Sequence, residues 1–298
     1  MDAILETKNL SFSFGKTPIL KDLSLSVPPG SVYGFLGPNG AGKSTTIKLL
    51  LGLLRPRHEE VLIFGKDIRS HRQAILARIG HLIESPTVYQ HLTAKENLRY
   101  QEILFPGNKH RKEEVLDLVG LTHATNKKVK HFSMGMKQRL GIAMALYHDP
   151  DFLILDEPVN GLDPQGIHEM RALFLRLKEA GKTILVSSHI LSEIEKVCTH
   201  LGIIKKGEMV FQGPISDLQS STRRTVHLYT DDPARIQQLA AQHEWAVQPN
   251  GQKVSVEIEN DDAFNELLRA VVQANIRVHD LEREAPSLEQ LFMDLTNV

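Results

Sequence analysis

The run Gly37-Pro38-Asn39-Gly40-Ala41-Gly42-Lys43-Ser44 constrains this chain more than any other segment. It satisfies the pattern G-x-x-x-x-G-K-[ST], whose confirming context is a strand before it and a helix after it. Both are predicted here: Ser31-Val32-Tyr33-Gly34-Phe35-Leu36 reads as a short apolar strand, and a helix follows the loop. The glycines let backbone N–H groups converge on phosphate oxygens, and the helix N-terminus adds a favourable dipole. In that setting Lys43 neutralises the β- and γ-phosphates and the Ser44 hydroxyl ligates Mg²⁺. Gly37, Asn39, Gly40, Gly42 and Thr45 belong to the same phosphate cradle.

A second apolar strand, Phe152-Leu153-Ile154-Leu155, ends in Asp156-Glu157. Packing gives no reason for two acids there, because desolvating them is costly. A metal and a water are their natural partners: Asp156 holds Mg²⁺, and Glu157 orients and polarises the attacking water. Taken alone, the lesser alternative is a solvated strand end, and the P-loop upstream weighs against it.

Further buried strands are predicted at Thr183-Ile184-Leu185-Val186-Ser187, with a helix between. Asp163 caps that helix, Pro164 suits its first turn, and Gly181 ends it. Strands alternating with helices indicate a largely parallel α/β core. A polar run at 219–224 reads as a linker between domains at 1–218 and 225–298. Beyond it the order is strand, helix, strand, strand, helix, strand, the ferredoxin-like α+β order, with a last helix after Pro286.

The chain has 298 residues, enough for one or two domains, and a formal net charge of −1. That balance weighs against a nucleic-acid binder driven by a bulk basic field, so no nucleic acid is expected as a partner. The single cysteine, Cys198, excludes a disulfide within the chain and falls at core spacing. No stretch approaches the ~20 apolar residues of a membrane helix. His58, His71, His110 and the other histidines show no metal-ligand spacing and read as surface.

Three further elements narrow the choice among P-loop proteins. Phe132-Ser133-Met134-Gly135-Met136-Lys137-Gln138 opens a helix whose apolar face is Met136, Leu140, Ala143 and Met144. Gly161-Leu162-Asp163-Pro164 follows the acidic pair at once, and His189 follows Ser187-Ser188. The order of P-loop, Leu-Ser-Gly-Gly-Gln-like signature, acidic strand, D-loop and switch histidine resembles the ATPase subunits of ABC transporters, over residues 4 to 215. The resemblance implies a P-loop ATPase domain with an antiparallel β subdomain and a helical subdomain. It implies ATP and Mg²⁺ as ligands, and a homodimer or pseudo-dimer that sandwiches two ATP molecules. Ser133 and Gly135 would contact the γ-phosphate held by the other subunit. Asp163 would cross the dimer interface, and His189 would join Lys43 and Glu157 as a catalytic residue in cis. Phe14 matches the aromatic that stacks on adenine, usually a tyrosine; the alternative is a core role.

Two departures carry information. Methionine stands at Met134, where the family usually has glycine. Glu84, in Leu82-Ile83-Glu84-Ser85-Pro86, falls where the family's Q-loop glutamine is expected and so enters the nucleotide and metal sets. Together with Leu92-Thr93-Ala94-Lys95-Glu96-Asn97-Leu98, this loop resembles the bacitracin-export and lantibiotic self-protection branch, which pairs with separate ABC-2-type permeases. The tail from Ala285 to Phe292 resembles the accessory domain of that exporter group. The resemblance implies a cytoplasmic subunit, peripheral on the inner face of the membrane through its permease. It also makes the segment from the Glu84 loop to Ser133 the docking region. Leu92, Leu98, Ile103, Leu104 and Phe105 either serve that docking or fill a helical core. A soluble ABC ATPase acting on ribosomes or DNA is the alternative; those usually carry two cassettes or a long coiled coil, and this chain has one P-loop.

Overall fold

The computed structural model describes residues 3–55, 60–107, 110–188, 191, 195–220, 224–243, 245–258, 260–284 and 287–296. The chain divides into two compact units, Met1–Pro214 and Ile215–Val298.

The first unit is built on a six-stranded sheet in the order Glu208–Pro214, His200–Lys205, Val32–Leu36, Thr183–Ser188, Phe152–Asp156, Ile79–Leu82. Every neighbouring pair is parallel except the first. The three central strands are buried at every position, which is why they read as unbroken apolar runs rather than as alternation. Their carboxyl ends lie side by side. Ser187 pairs with Asp156, and Ser188 with Leu36, the last strand residue before the P-loop.

An antiparallel sheet of Ser26–Val27, Leu5–Lys8, Glu60–Ile63 and Lys66–Asp67 packs into the same core. A hairpin pairs Leu10–Phe14 with Thr17–Leu23, in a register broken near Phe12. Leu10 is buried, Phe12 half-buried and Phe14 exposed, so the face the alternation predicts is not uniformly in the core.

The helical part comprises Ala94–Leu104, Arg111–Leu118 and Met134–Leu146. The first of these carries the complete capping box between Thr93 and Glu96. Leu98 is fully buried, whereas Ile103 and Leu104 are 70% and 69% exposed. The apolar residues of this segment therefore divide between core and surface. The helix Met134–Leu146 does not present the single apolar face expected of it. Gln138, Leu140, Gly141, Ile142, Ala143, Ala145 and Leu146 are all buried, because the helix is enclosed by its neighbours rather than laid on one.

Pro164–Glu179 is capped by Asp163, whose Oδ1 accepts the Gly166 N–H at 2.8 Å. It buries Met170, Leu173, Phe174 and Leu177. Cys198 is buried.

In the second unit a sheet in the order Val247–Asn250, Lys253–Ile258, Arg224–Thr230, Val278–Glu284 is antiparallel throughout. This is the ferredoxin-like order. Pro233–Gln242 and Asp261–Gln273 pack on it, closing a core of Val226, Leu228, Ile236, Val254, Val256 and Leu267. Helix Ile215–Ser220 packs against the terminal helix Leu288–Thr296 and so groups with this unit. The polar run expected as a linker begins inside that helix, and residues 221–223 lie outside those described.

His227 and His148 depart from the surface reading. His227 is buried in the central strand of this sheet, between the Ser255 hydroxyl at 2.9 Å and the Glu284 carboxylate at 2.6 Å. His148 is half-buried in the first unit. Each is enclosed by elements distant in sequence.

Candidate nucleotide site

The P-loop leaves the buried strand Val32–Leu36 and enters helix Lys43–Leu50 through Gly42, at φ 114. A Cβ on Gly42 would lie 2.6 Å from Leu20 Cδ2, and one on Gly37 would lie 2.5 Å from the Ile204 carbonyl oxygen. Both positions therefore demand glycine, the first for conformation and space, the second for space alone. The loop curls around Lys43, whose ammonium donates to the carbonyls of Gly37 at 2.6 Å and Pro38 at 3.3 Å. Burial holds this ammonium below the usual lysine pKa, and the charges of Glu157 and Asp156 draw it partly back up.

The acidic strand end lies beside the loop. Asp156 is 2% exposed, and its Oδ1 accepts the Ser187 hydroxyl at 2.5 Å. The same Ser187 oxygen accepts the Glu157 backbone N–H at 3.0 Å. Glu157 is at φ 51, a left-handed position that costs a non-glycine residue about 1–2 kcal/mol. Its N–H also donates to the Ser187 carbonyl at 3.2 Å, so two bonds from one neighbouring residue hold the turn. Past that turn the Glu157 side chain joins Asn39, Lys43, Ser44, Asn160 and Ile19 in lining a cleft of about 480 Å³. The cleft stands at the carboxyl ends of parallel strands, where open α/β sheets bind their ligands. Gly40, Gly42 and Thr45 line it as well.

Phe14 stands 54% exposed, edge-on to Phe12 with ring centroids 5.0 Å apart. That exposure excludes the core alternative, and Phe14 is not among the residues that line the cleft.

Ser133 caps its helix by accepting the Met136 N–H at 3.2 Å. Gly135 lies under Leu162, and Met134, exposed, lies over Gly161, so the signature and the D-loop form one patch of surface.

Glu84 does not line the cleft. Its Oε1 accepts the Lys48 ammonium at 2.9 Å, across to the P-loop helix. His189 lies outside the described residues.

Three residues here were not singled out from the sequence. Ile19 and Asn160 line the cleft, and Ser187 ties the acidic turn together. A signal existed for Ser187, since hydroxyls at the end of an otherwise apolar buried strand call for partners.

Comparison with known proteins agrees with this geometry. The ABC transporter family matches residues 20–160, and the C-terminal domain of DrrA1-3-like ATP-binding proteins matches residues 213–296. The chain is 42% identical to the bacitracin transport ATP-binding protein BcrA of Bacillus licheniformis, over 99% of this chain and 98% of that protein. It is 42% identical to the lantibiotic transport ATP-binding protein SrtF of Streptococcus pyogenes, over 70% of this chain and 90% of that protein. Among solved structures, the ATP-binding subunit of an ABC transporter superposes with TM-score 0.66 at 32% identity, covering 72% of this chain and 92% of that one. CbiO1 of Clostridium perfringens superposes with TM-score 0.69 at 25% identity, covering 81% and 96%. The expected branch is thus the one to which these two relatives belong. The chain belongs to the ATP-binding, ATP-hydrolysing subunits of ABC transporters.

Proposed function

We propose that this subunit energises a separate ABC-2-type permease that exports peptide antibiotics or related amphiphiles. The observation that carries this reading is the full-length similarity to a bacitracin transport ATP-binding protein, accessory domain included. It is supported by a cleft lined by the P-loop and Glu157, with the buried Asp156 the residue before it. Among the described residues no helix is long and apolar enough to cross a membrane, which fits a pore supplied by another chain. In this reading the subunit works at the inner face of the membrane.

Within the cleft, Lys43 binds the β- and γ-phosphates once they replace the Gly37 and Pro38 carbonyls as its partners. Ser44 and Asp156 offer a hydroxyl and a carboxylate oxygen, a donor set that suits Mg²⁺, which takes few protein ligands beside phosphate and water. Mg²⁺ supplies charge neutralisation on the phosphates. Glu157 orients and polarises the attacking water. Phe14 stacks on adenine. Ser133, Gly135 and Asp163 serve a second copy in a head-to-tail dimer, whose closure and opening drive the permease. His189 acts on the γ-phosphate from its own subunit.

Deleting the gene in its source organism tests the reading. Sensitivity to bacitracin-type or lantibiotic peptides is expected to rise, with restoration by the wild-type chain and not by Glu157→Gln. Unchanged sensitivity to peptide antibiotics would remove the cargo assignment. Co-purification with ribosomes instead of a membrane protein would remove the permease.

A further inference from the structure

Outside the nucleotide cleft, the helical part of the first unit carries a positive surface, on a chain whose formal net charge is −1. The run Asn126-Lys127-Lys128-Val129-Lys130-His131 buries Val129 and exposes the rest. The segment that leads into helix Ala94–Leu104 holds this run in place. Thr93 forms an antiparallel bridge with Lys128. The N–H groups of Val129 and Lys130 donate to the carbonyls of Leu92 at 2.9 Å and Gln90 at 2.8 Å. The lysines therefore stand beside the first turn of that helix.

The helix itself presents an exposed stripe of Glu96, Arg99, Tyr100 and Ile103, at i, i+3, i+4 and i+7 spacing. Tyr100 stacks on Tyr89 with ring centroids 4.8 Å apart, and His91 meets Tyr89 edge-on at 6.1 Å. Two half-exposed tyrosines and Ile103, 70% exposed, thus lie among the cations.

Little on this surface balances the positive charge. Arg99, Lys127, Lys128 and Lys130 make no ion pair among the described residues, and nearby acids are engaged elsewhere: Glu113 with Lys95, Glu102 with Lys112. Glu96 is the acid of the stripe, and its Oε2 already accepts the Thr93 N–H at 2.8 Å and the Thr93 hydroxyl at 2.9 Å. Those bonds hold Glu96 below the usual carboxylate pKa, helped by the charges of Lys128 and His91, which lie near it.

Uncompensated cations call for an anionic partner. Single-stranded nucleic acid binds where ring faces are open to its bases, and here the two tyrosines cover one another. An exposed aliphatic side chain beside tyrosines and basic residues suits a bilayer interface instead. There the rings sit at headgroup level and the long cationic stems reach the phosphates. Resting on the reading that the subunit works at the membrane, we propose that this surface binds the anionic phospholipid headgroups of the bilayer. Arg99, Lys127, Lys128 and Lys130 meet the phosphates, and Tyr89, Tyr100 and Ile103 enter the interface. The contact holds the subunit against the membrane without any protein partner.

The test mixes the purified full-length chain with protein-free vesicles of phosphatidylcholine, alone or with an equal part of phosphatidylglycerol, and measures co-sedimentation. Binding is expected to the phosphatidylglycerol vesicles and to weaken as salt is raised. Each lysine or arginine near an anionic surface is worth about fivefold in partitioning. The triple variant Arg99→Gln/Lys127→Gln/Lys128→Gln should therefore lose about a hundredfold. Its basal ATP hydrolysis and thermal unfolding should match wild type. Tyr89→Ala/Tyr100→Ala should weaken the binding that persists at high salt. Absence of binding, equal binding to both vesicles, or a triple variant that binds like wild type overturns the proposal. Displacement by free glycerol phosphate, or tighter binding to an RNA oligonucleotide than to the vesicles, does so too. The permease reading survives the vesicle results, because the gene deletion tests it separately.

Discussion

The Ser187 hydroxyl donates to Asp156 and accepts from the backbone N–H of Glu157, so one side chain on the neighbouring strand positions both acids of the site. Parallel register makes this possible, since Ser187 stands directly opposite Asp156. Ser187→Ala should leave a buried carboxylate without this bond and loosen the left-handed turn at Glu157. The expected loss is about 1–3 kcal/mol of stability, with a fall in ATP turnover at saturating Mg²⁺. Urea denaturation and steady-state ATPase assays check the two effects; an unchanged turnover would reduce Ser187 to a structural role.

Glu157→Gln should bind ATP and hydrolyse it at least about a hundredfold more slowly, because an amide cannot polarise the water. The phosphate cradle is untouched, so the variant should accumulate as an ATP-bound dimer. Turnover and light scattering with ATP present measure both, and normal turnover would remove Glu157 from its role.

Lys43→Ala should weaken ATP binding by about ten- to a hundredfold through loss of charge-assisted bonds. The wild-type affinity should also fall on the alkaline side. Burial lowers the Lys43 pKa, so its charge is lost at a lower pH than that of an exposed lysine. Glu157 and Asp156 oppose that shift by favouring the charged form. Glu157→Gln removes one of them and should move the alkaline limb to lower pH. Nucleotide titrations across pH test the sign, and a limb moving upward would contradict it.

Glu84→Gln should fold normally, because the pair with Lys48 is solvent-exposed and is worth at most about 1 kcal/mol. Its effect should appear in Mg²⁺ dependence or in permease-stimulated hydrolysis. If the ion pair carries that effect, Lys48→Met should reproduce it, and the double variant should be no worse than either single one. Independent, additive losses would separate the two residues.

Truncation after Pro214 should leave a core that binds ATP, since every residue of the cleft precedes that point. Truncation after Ser221 should be the less stable product. It keeps helix Ile215–Ser220, with Leu218 buried, and deletes the helix Leu288–Thr296 that packs against it. Thermal unfolding of the two fragments compares them.

The phosphate cradle, the acidic strand end, the caps at Thr93 and Asp163, the alternation of strands and helices in the first unit's core and the element order of the second unit were legible in the amino-acid sequence alone. Each depends on backbone conformation or patterning over a few neighbouring residues, and such requirements leave their mark on residue type: glycine where a Cβ has no room, a short polar side chain where a helix begins. Tertiary structure decided the rest. That Ser187 serves Asp156, that Glu84 meets Lys48, that His227 lies between Ser255 and Glu284, and that His148 sits beneath Phe105 follow from strand order, register and helix packing. The partners in these contacts are 28 to 57 residues apart wherever they are hydrogen-bonded. Hydrophobic period says which face of an element is buried, but it carries no information about which distant element covers that face.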